Sequence, residues 1–134
     1  MKALKTLVVD DDYITSMVLQ EIMLAFGSAD IAQNGEEAIR WFSKALESSE
    51  PYDVIILDIM MPEMDGMEAL ETFRKLETQH GIEGRDRTKI IMCTALDDYD
   101  TVMKSFRNQC DAYLVKPISK EKVQEILINL DLIQ

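Results

Sequence analysis

Asp53-Val54-Ile55-Ile56-Leu57-Asp58 decides the fold. Its apolar residues run unbroken between two acids and are mostly β-branched, with no alternation that would leave one face to water. Such a run describes an interior strand of a parallel sheet, covered on both faces. Outward from it, the hydrophobic period switches between short apolar runs and helical three- and four-residue steps. Upstream, residues 4–9 form another apolar run that stops at Asp10-Asp11-Asp12. Ile14, Met17, Val18, Ile22 and Phe26 then recur as one helix face, with Gly27 placed to end that helix. Residues 28–32 read as a weak strand. Asn34 is expected to cap a second helix, with Glu37 as its capping-box partner and Ala38, Ile39, Phe42, Ala45 and Leu46 as its buried stripe.

Downstream, Pro62 keeps the next helix from starting early, and Asp65 can cap it, with Met67, Leu70, Phe73 and Leu76 as its apolar face. Residues 79–88, with Gly81 and Gly84, read as a loop, and 89–93 as a buried strand. Val102, Met103 and Phe106 mark a short helix, and 112–115 a fifth strand. Ser119 caps a closing helix carrying Val123, Ile126, Leu127 and Leu130. Five strands alternating with five helices imply a doubly wound parallel α/β sheet with helices on both faces. No repeat or linker divides the chain, so one domain is expected.

Composition agrees. The 134 residues are 47% hydrophobic and 29% charged, the balance of a globular domain with a real core. Fourteen Lys and Arg against 25 Asp and Glu give a net charge of −11, which repels nucleic acid and anionic lipid. No apolar run approaches the roughly 20 residues of a membrane span, and the first residues lack a signal-peptide cleavage pattern. Cys93 and Cys110 have no metal-site spacing, and His80 is the sole histidine. Free thiols in the cytoplasm are the expectation. The nine methionines, Met60, Met61, Met64 and Met67 among them, read as adaptable packing rather than a soft-metal site.

In an open parallel sheet, ligands bind beyond the carboxyl ends of the strands. Asp10 and Asp11 stand there after the first strand, Asp58 at the third, Thr94 at the fourth, and Lys116 followed by Pro117 after the fifth. Clustered carboxylates repel unless a cation neutralises them, and an all-oxygen set favours Mg²⁺. Asp12 best fits helix capping. Lys116 precedes a proline, so its backbone is extended. A Lys-Pro bond can be cis, which would aim the ammonium over the strand ends. There it can pair with Asp58 or with a phosphoryl group.

Together these residues resemble the receiver domain of two-component response regulators, the CheY-like superfamily with its flavodoxin-like fold and strand order 2-1-3-4-5. The stretches that carry the resemblance are Leu7-Val-Val-Asp-Asp11, Asp53 to Pro62 with Met64-Asp-Gly66, Cys93-Thr-Ala95, and Tyr113-Leu-Val-Lys-Pro117. It extends from Leu4 to Leu130 and implies that residues 1–134 form a single receiver domain. By the same resemblance, Asp58 is the phosphoacceptor, charged by a sensor histidine kinase or a phosphotransfer protein. Asp11 is a direct Mg²⁺ ligand, Asp10 a ligand directly or through water, and Met60 contributes its backbone carbonyl beside Asp58. Thr94 and Lys116 hold the phosphoryl oxygens, and Tyr113 is the aromatic switch that turns inward when Thr94 is drawn to the phosphate.

The resemblance further implies a signalling switch rather than an enzyme. It acts on a downstream effector protein and is a monomer or a phosphorylation-dependent dimer, without direct nucleic-acid or membrane binding. Some positions depart from the commonest pattern. Gln109-Cys110 replaces a frequent Gly-Ala, so Asn108 is expected to take the left-handed turn. Met60 and Leu96, two residues beyond Asp58 and Thr94, are apolar and cannot orient an attacking water, which predicts a slowly hydrolysing phosphoryl-aspartate. A haloacid-dehalogenase-type phosphohydrolase would need an acid where Met60 stands. A flavin carrier would need a phosphate cradle where Asp10-Asp11-Asp12 stands. A pseudo-receiver that binds partners without phosphorylation remains the third alternative.

Overall fold

The computed structural model describes residues 3–59, 61, 66–95 and 110–134. Met60, Pro62, Met64, the Asp65 cap, Leu96, the helix expected around Val102, Met103 and Phe106, and the turn at Asn108 and Gln109 lie outside the described residues, as does the side chain of Met67. Five strands, β1 (Leu4–Val9), β2 (Gly27–Ala32), β3 (Val54–Asp58), β4 (Lys89–Thr94) and β5 (Ala112–Val115), form one sheet in the order β2-β1-β3-β4-β5. Every neighbouring pair is parallel. Four α-helices occur among the described residues: α1 (Tyr13–Leu24), α2 (Gly35–Glu47), α3 (Gly66–Gln79) and α4 (Lys120–Asn129). None of these is long and apolar enough to cross a membrane.

The uniform hydrophobicity of β3 is explained by cover on both sides. Ile55 and Leu57 join Leu7, Val9, Ile90 and Met92 in a cluster with Phe42 of α2 and Phe73 of α3. The two rings stand 4.8 Å apart and tilted. Val54 and Ile56 point the other way, with Val8 and Ile91, onto Leu19 and Met23 of α1 and Val123 and Leu127 of α4. The period-two pleat thus feeds two cores from one strand. Three helix starts are capped as expected. Asp12, Asn34 and Ser119 accept hydrogen bonds from the backbone N–H groups of Thr15, Glu37 and Lys122.

Two expectations need correcting. The helix face read as buried in α1 is largely its outer face: Ile14 is 72% exposed, Met17 47% and Val18 43%. The core takes Ser16, Leu19 and Met23 instead, with Ile22 and Phe26 partly buried beside them. Apolar residues encircle most of α1, so spacing alone did not select the side. Gly27 does not end that helix, which stops at Leu24, but opens β2 opposite Leu4. A Cβ there would lie 1.9 Å from the Leu4 carbonyl oxygen, so the close approach of the two strands requires glycine.

At the N-terminal ends of the strands, polar side chains lace the sheet together. Tyr52 donates its hydroxyl hydrogen to Asp30 Oδ2 at 2.8 Å, and the Lys5 N–H donates to Asp53 Oδ2 at 2.8 Å. Thr88 donates from its hydroxyl to the Tyr52 carbonyl at 2.8 Å and from its N–H to Glu77 Oε2 at 2.7 Å. Glu77, almost wholly buried, pairs with Arg74 at 2.7 Å. Residues 79–88, expected to be a plain loop, are built over this carboxylate and include a 3₁₀ turn at Gly84–Asp86.

Candidate functional site

The opposite, C-terminal edge of the sheet gathers the acids. Asp10 directly follows β1, and its N–H donates to the Ala32 carbonyl at 3.2 Å. It is almost wholly buried. Its Oδ1 accepts from the Asp12 N–H at 2.8 Å, whereas its buried Oδ2 has no hydrogen-bond partner among the described residues. Asp11 is exposed, and Asp58, the last residue of β3, is buried. One carboxylate oxygen from each of Asp10, Asp11 and Asp58 lies within 4.8 Å of the others. A buried carboxylate oxygen with no donor, set in an all-oxygen cluster, fits a hard divalent cation.

Strand register brings the remaining groups to this edge. Asp58 pairs with Cys93, which places Thr94 one residue beyond it, and Thr94 pairs with Val115, one residue before Lys116. The Lys116 N–H donates to the Thr94 carbonyl at 2.8 Å, and the Lys116-Pro117 bond is cis. Lys116 Nζ stands 3.9 Å from Asp58 Oδ1. The Thr94 hydroxyl donates to the carbonyl of Ala95 at 3.1 Å. Tyr113 is not in the acidic hollow. It pairs with Met92, two residues before Thr94 on the same face of the sheet, and packs half-buried against the core beneath α2 and α3.

The electrostatics follow from this placement. Burial raises the pKa of Asp10 above its ordinary value, as do the charges of Asp11 and Asp12, against the opposing pull of the Asp12 N–H and Lys116. Burial by itself would lower the pKa of Lys116, but Asp58, Cys93, Asp10 and Asp12 outweigh it and hold the ammonium above its ordinary value. Burial likewise pushes the Cys93 thiol up to about 12, leaving it an inert core group.

Two features went unread in the sequence. Gly66, the first residue of α3, donates its N–H to the Ile59 carbonyl at 3.0 Å, and a Cβ on it would lie 2.7 Å from the Asp58 carbonyl oxygen. In the sequence Gly66 stands only as part of Met64-Asp-Gly66, and its role is assigned by that contact. The second is the outward face of α1. Ile14, Thr15 and Val18 meet Lys116, Pro117 and Ile118 around a shallow hollow of about 230 Å³ beside the acids. Tyr13, Met17 and Leu24 extend this exposed apolar surface.

Comparison with known proteins is consistent with this arrangement. The family model described as "Response regulator receiver domain" matches residues 6–128. The chemotaxis protein CheY of Halobacterium salinarum is 30% identical over 129 residues, covering 96% of this chain and 97% of that protein. The hybrid signal transduction histidine kinase L of Dictyostelium discoideum is 32% identical over 124 residues and 92% of this chain. This chain spans only 6% to 12% of the length of the histidine kinases it matches first. Among solved structures, the receiver domain of the histidine kinase CKI1 from Arabidopsis thaliana, complexed with Mg²⁺ and BeF₃⁻, superposes with a TM-score of 0.71 at 27% identity, covering 92% of this chain and 89% of that one.

Proposed function

The chain belongs to the response regulator receiver domain family of two-component signalling, and from that membership we propose that it is a phosphorylation-controlled binding switch with Asp58 as the phosphoacceptor. The observation that carries this reading is the convergence of Asp10, Asp11 and Asp58 beneath the ammonium of Lys116. In the transfer, a carboxylate oxygen of Asp58 attacks phosphorus in line. The phosphorus–nitrogen bond of a phosphohistidine breaks, and the imidazole leaves with the bonding pair to take up a proton. Such transfer needs positioning and charge neutralisation more than covalent chemistry. Lys116 supplies a fixed cation beside the acceptor, and the Thr94 hydroxyl, exchanging its bond to Ala95, supplies a donor to a phosphoryl oxygen.

Asp10, Asp11 and Asp58 would hold Mg²⁺, with the Met60 carbonyl as the further ligand that the family resemblance implies. Bound there, Mg²⁺ neutralises charge on the phosphoryl oxygens. The donorless Asp10 Oδ2 supports this reading, as does the Mg²⁺ complex of the CKI1 receiver. The role is that of an acceptor and switch rather than of an enzyme. A phosphohistidine-bearing kinase or phosphotransfer partner would seat on the exposed apolar face of α1 and Pro117-Ile118, which borders the acceptor. An effector would read the surface on the Tyr113 side, where movement of Thr94 toward phosphate alters the packing two residues away.

Mass spectrometry after incubation with acetyl phosphate and Mg²⁺ tests the central assignment. One phosphoryl adduct on the wild type and none on Asp58→Asn is the expected result. An adduct that persists in Asp58→Asn would end the reading.

A further inference from the structure

We propose that Asp111 is a positioning residue for this phosphoryl transfer, fixing the register of β5 and so the place of Lys116 beside Asp58. The inference rests on Asp58 being the acceptor. β5 is an edge strand of four residues, of which only Leu114 is buried. One fully buried side chain, with Ala112 and Tyr113 only half-buried beside it, specifies register weakly, and the backbone ladder alone is equally well made after a shift. A one-residue slip would turn Lys116 to the other face. A two-residue slip would carry it roughly 6–7 Å along the sheet, beyond reach of Asp58.

Asp111 removes this ambiguity at the entrance of the strand. Its N–H donates to the Ile90 carbonyl at 2.8 Å, and its Oδ2 accepts from the Ile90 N–H at 2.8 Å. Both backbone polar groups of one β4 residue are therefore claimed by one residue outside the ladder. The same Oδ2 receives Arg74 Nη2 of α3 at 3.1 Å. Arg74 is itself fastened to Glu77 at 2.7 Å and to the Thr88 carbonyl at 3.0 Å, so the carboxylate is held from a rigid element. At the other end of the ladder, Lys116 N–H reaches the Thr94 carbonyl and Lys116 Nζ reaches Asp58. The clasp sits at one end of β5 and the phosphoryl-binding ammonium at the other.

The test compares the full chain with Asp111→Ala, Asp111→Asn, Lys116→Met and the Asp111→Ala/Lys116→Met double variant. Asp111→Ala is expected to slow acetyl-phosphate labelling about tenfold. Mg²⁺ affinity by calorimetry should not fall, because the carboxylates that would hold the ion follow β1 and end β3, and it should rise as Lys116 is drawn away from them. Asp111→Asn keeps an oxygen for the Ile90 N–H and should recover at least half the rate. In the Lys116→Met background, Asp111→Ala should add no further loss. Amide hydrogen exchange should quicken at Ile90 and across Ala112–Val115 in Asp111→Ala while Leu7 to Val9 stay protected. Should the alanine form not fold, Asp111→Ser, too short to reach both Ile90 and Arg74, takes its place. A rate within twofold of wild type, losses that multiply in the double variant, or a parallel collapse of Mg²⁺ affinity would overturn the proposal. Quickened exchange in Asp111→Ala with no Asp58-dependent adduct on the wild type would instead remove the acceptor reading and leave the register clasp as architecture alone.

Discussion

Lys116 Nζ and Asp58 Oδ1 stand 3.9 Å apart, across the mouth of a hollow that also holds the carboxylates of Asp10 and Asp11. The ammonium and a divalent ion are therefore rivals for the same charge. Two such cations about 5 Å apart repel by roughly 1–2 kcal/mol even at the dielectric of bulk water. Lys116→Met should bind Mg²⁺ about tenfold more tightly in a calorimetric titration, while accepting phosphoryl groups more slowly. Weaker Mg²⁺ binding in that variant would mean that Lys116 does not oppose an ion held by Asp10, Asp11 and Asp58.

Burial gives Asp10 a pH dependence of its own. Its folded pKa is raised above the ordinary 3.8, so between the two values the folded chain holds more of a proton there than the unfolded chain does. The fold is favoured by this group below the unfolded value, and the benefit is lost as pH rises through the raised one. In EDTA, Asp10→Asn should raise the melting temperature at neutral pH, at roughly 3–5 °C per kcal/mol for a domain of this size. The gain should vanish below about pH 4. Adding millimolar Mg²⁺ should stabilise the wild type by mass action and the variant much less. A gain that is the same at every pH would count against burial of the charge as its origin.

Gly66 has no room for a side chain. A methyl group there would meet the Asp58 carbonyl oxygen at 2.7 Å and Ile59 Cα at 2.8 Å, both backbone atoms. Gly66→Ala should cost about 1–3 kcal/mol in denaturant unfolding, as overpacking usually does. It should also slow labelling by acetyl phosphate, because the displaced backbone is that of Asp58, the proposed acceptor. Wild-type labelling from a destabilised variant would separate the two roles.

The outer and inner faces of α1 should respond in opposite ways. Leu19 is 1% exposed, and Leu19→Ala is expected to cost about 2–5 kcal/mol. Ile14→Asp and Val18→Asp lie on the exposed face and should change stability by no more than about 0.5 kcal/mol. Labelling by acetyl phosphate should survive in both. Transfer from a phosphohistidine donor protein should fall at least tenfold, the loss expected when a charge is buried in an apolar contact. Undiminished transfer would place the donor on another face.

The strands and the acids at their ends were legible because both are local signals. An unbroken apolar run says that both faces are covered, and a carboxylate at its end has one place to go in a parallel sheet. Asp10, Asp11, Asp58 and Lys116 came together on that logic. The side of α1 was not legible, since Ile14 and Leu19 are equally apolar and only the packed sheet distinguishes them. Gly27 reads locally as a helix end and Gly66 has no local role to read, because the atoms they make room for, in the backbones of Leu4 and Asp58, come from other parts of the chain. The clasp of Arg74 on Asp111 spans 37 positions, and nothing in either neighbourhood announces the other.

Helix α3 is pinned at both ends, by Gly66 against the backbone of Asp58 and by Arg74 and Glu77 against the entrances of β4 and β5. It therefore stands as a buttress behind Asp58. On the reading of Asp58 as phosphoacceptor, added bulk on its carboxylate would meet a fastened helix on that side and would be taken up across the sheet toward Thr94 and β5, so one helix would set the direction in which a chemical event becomes a change of shape.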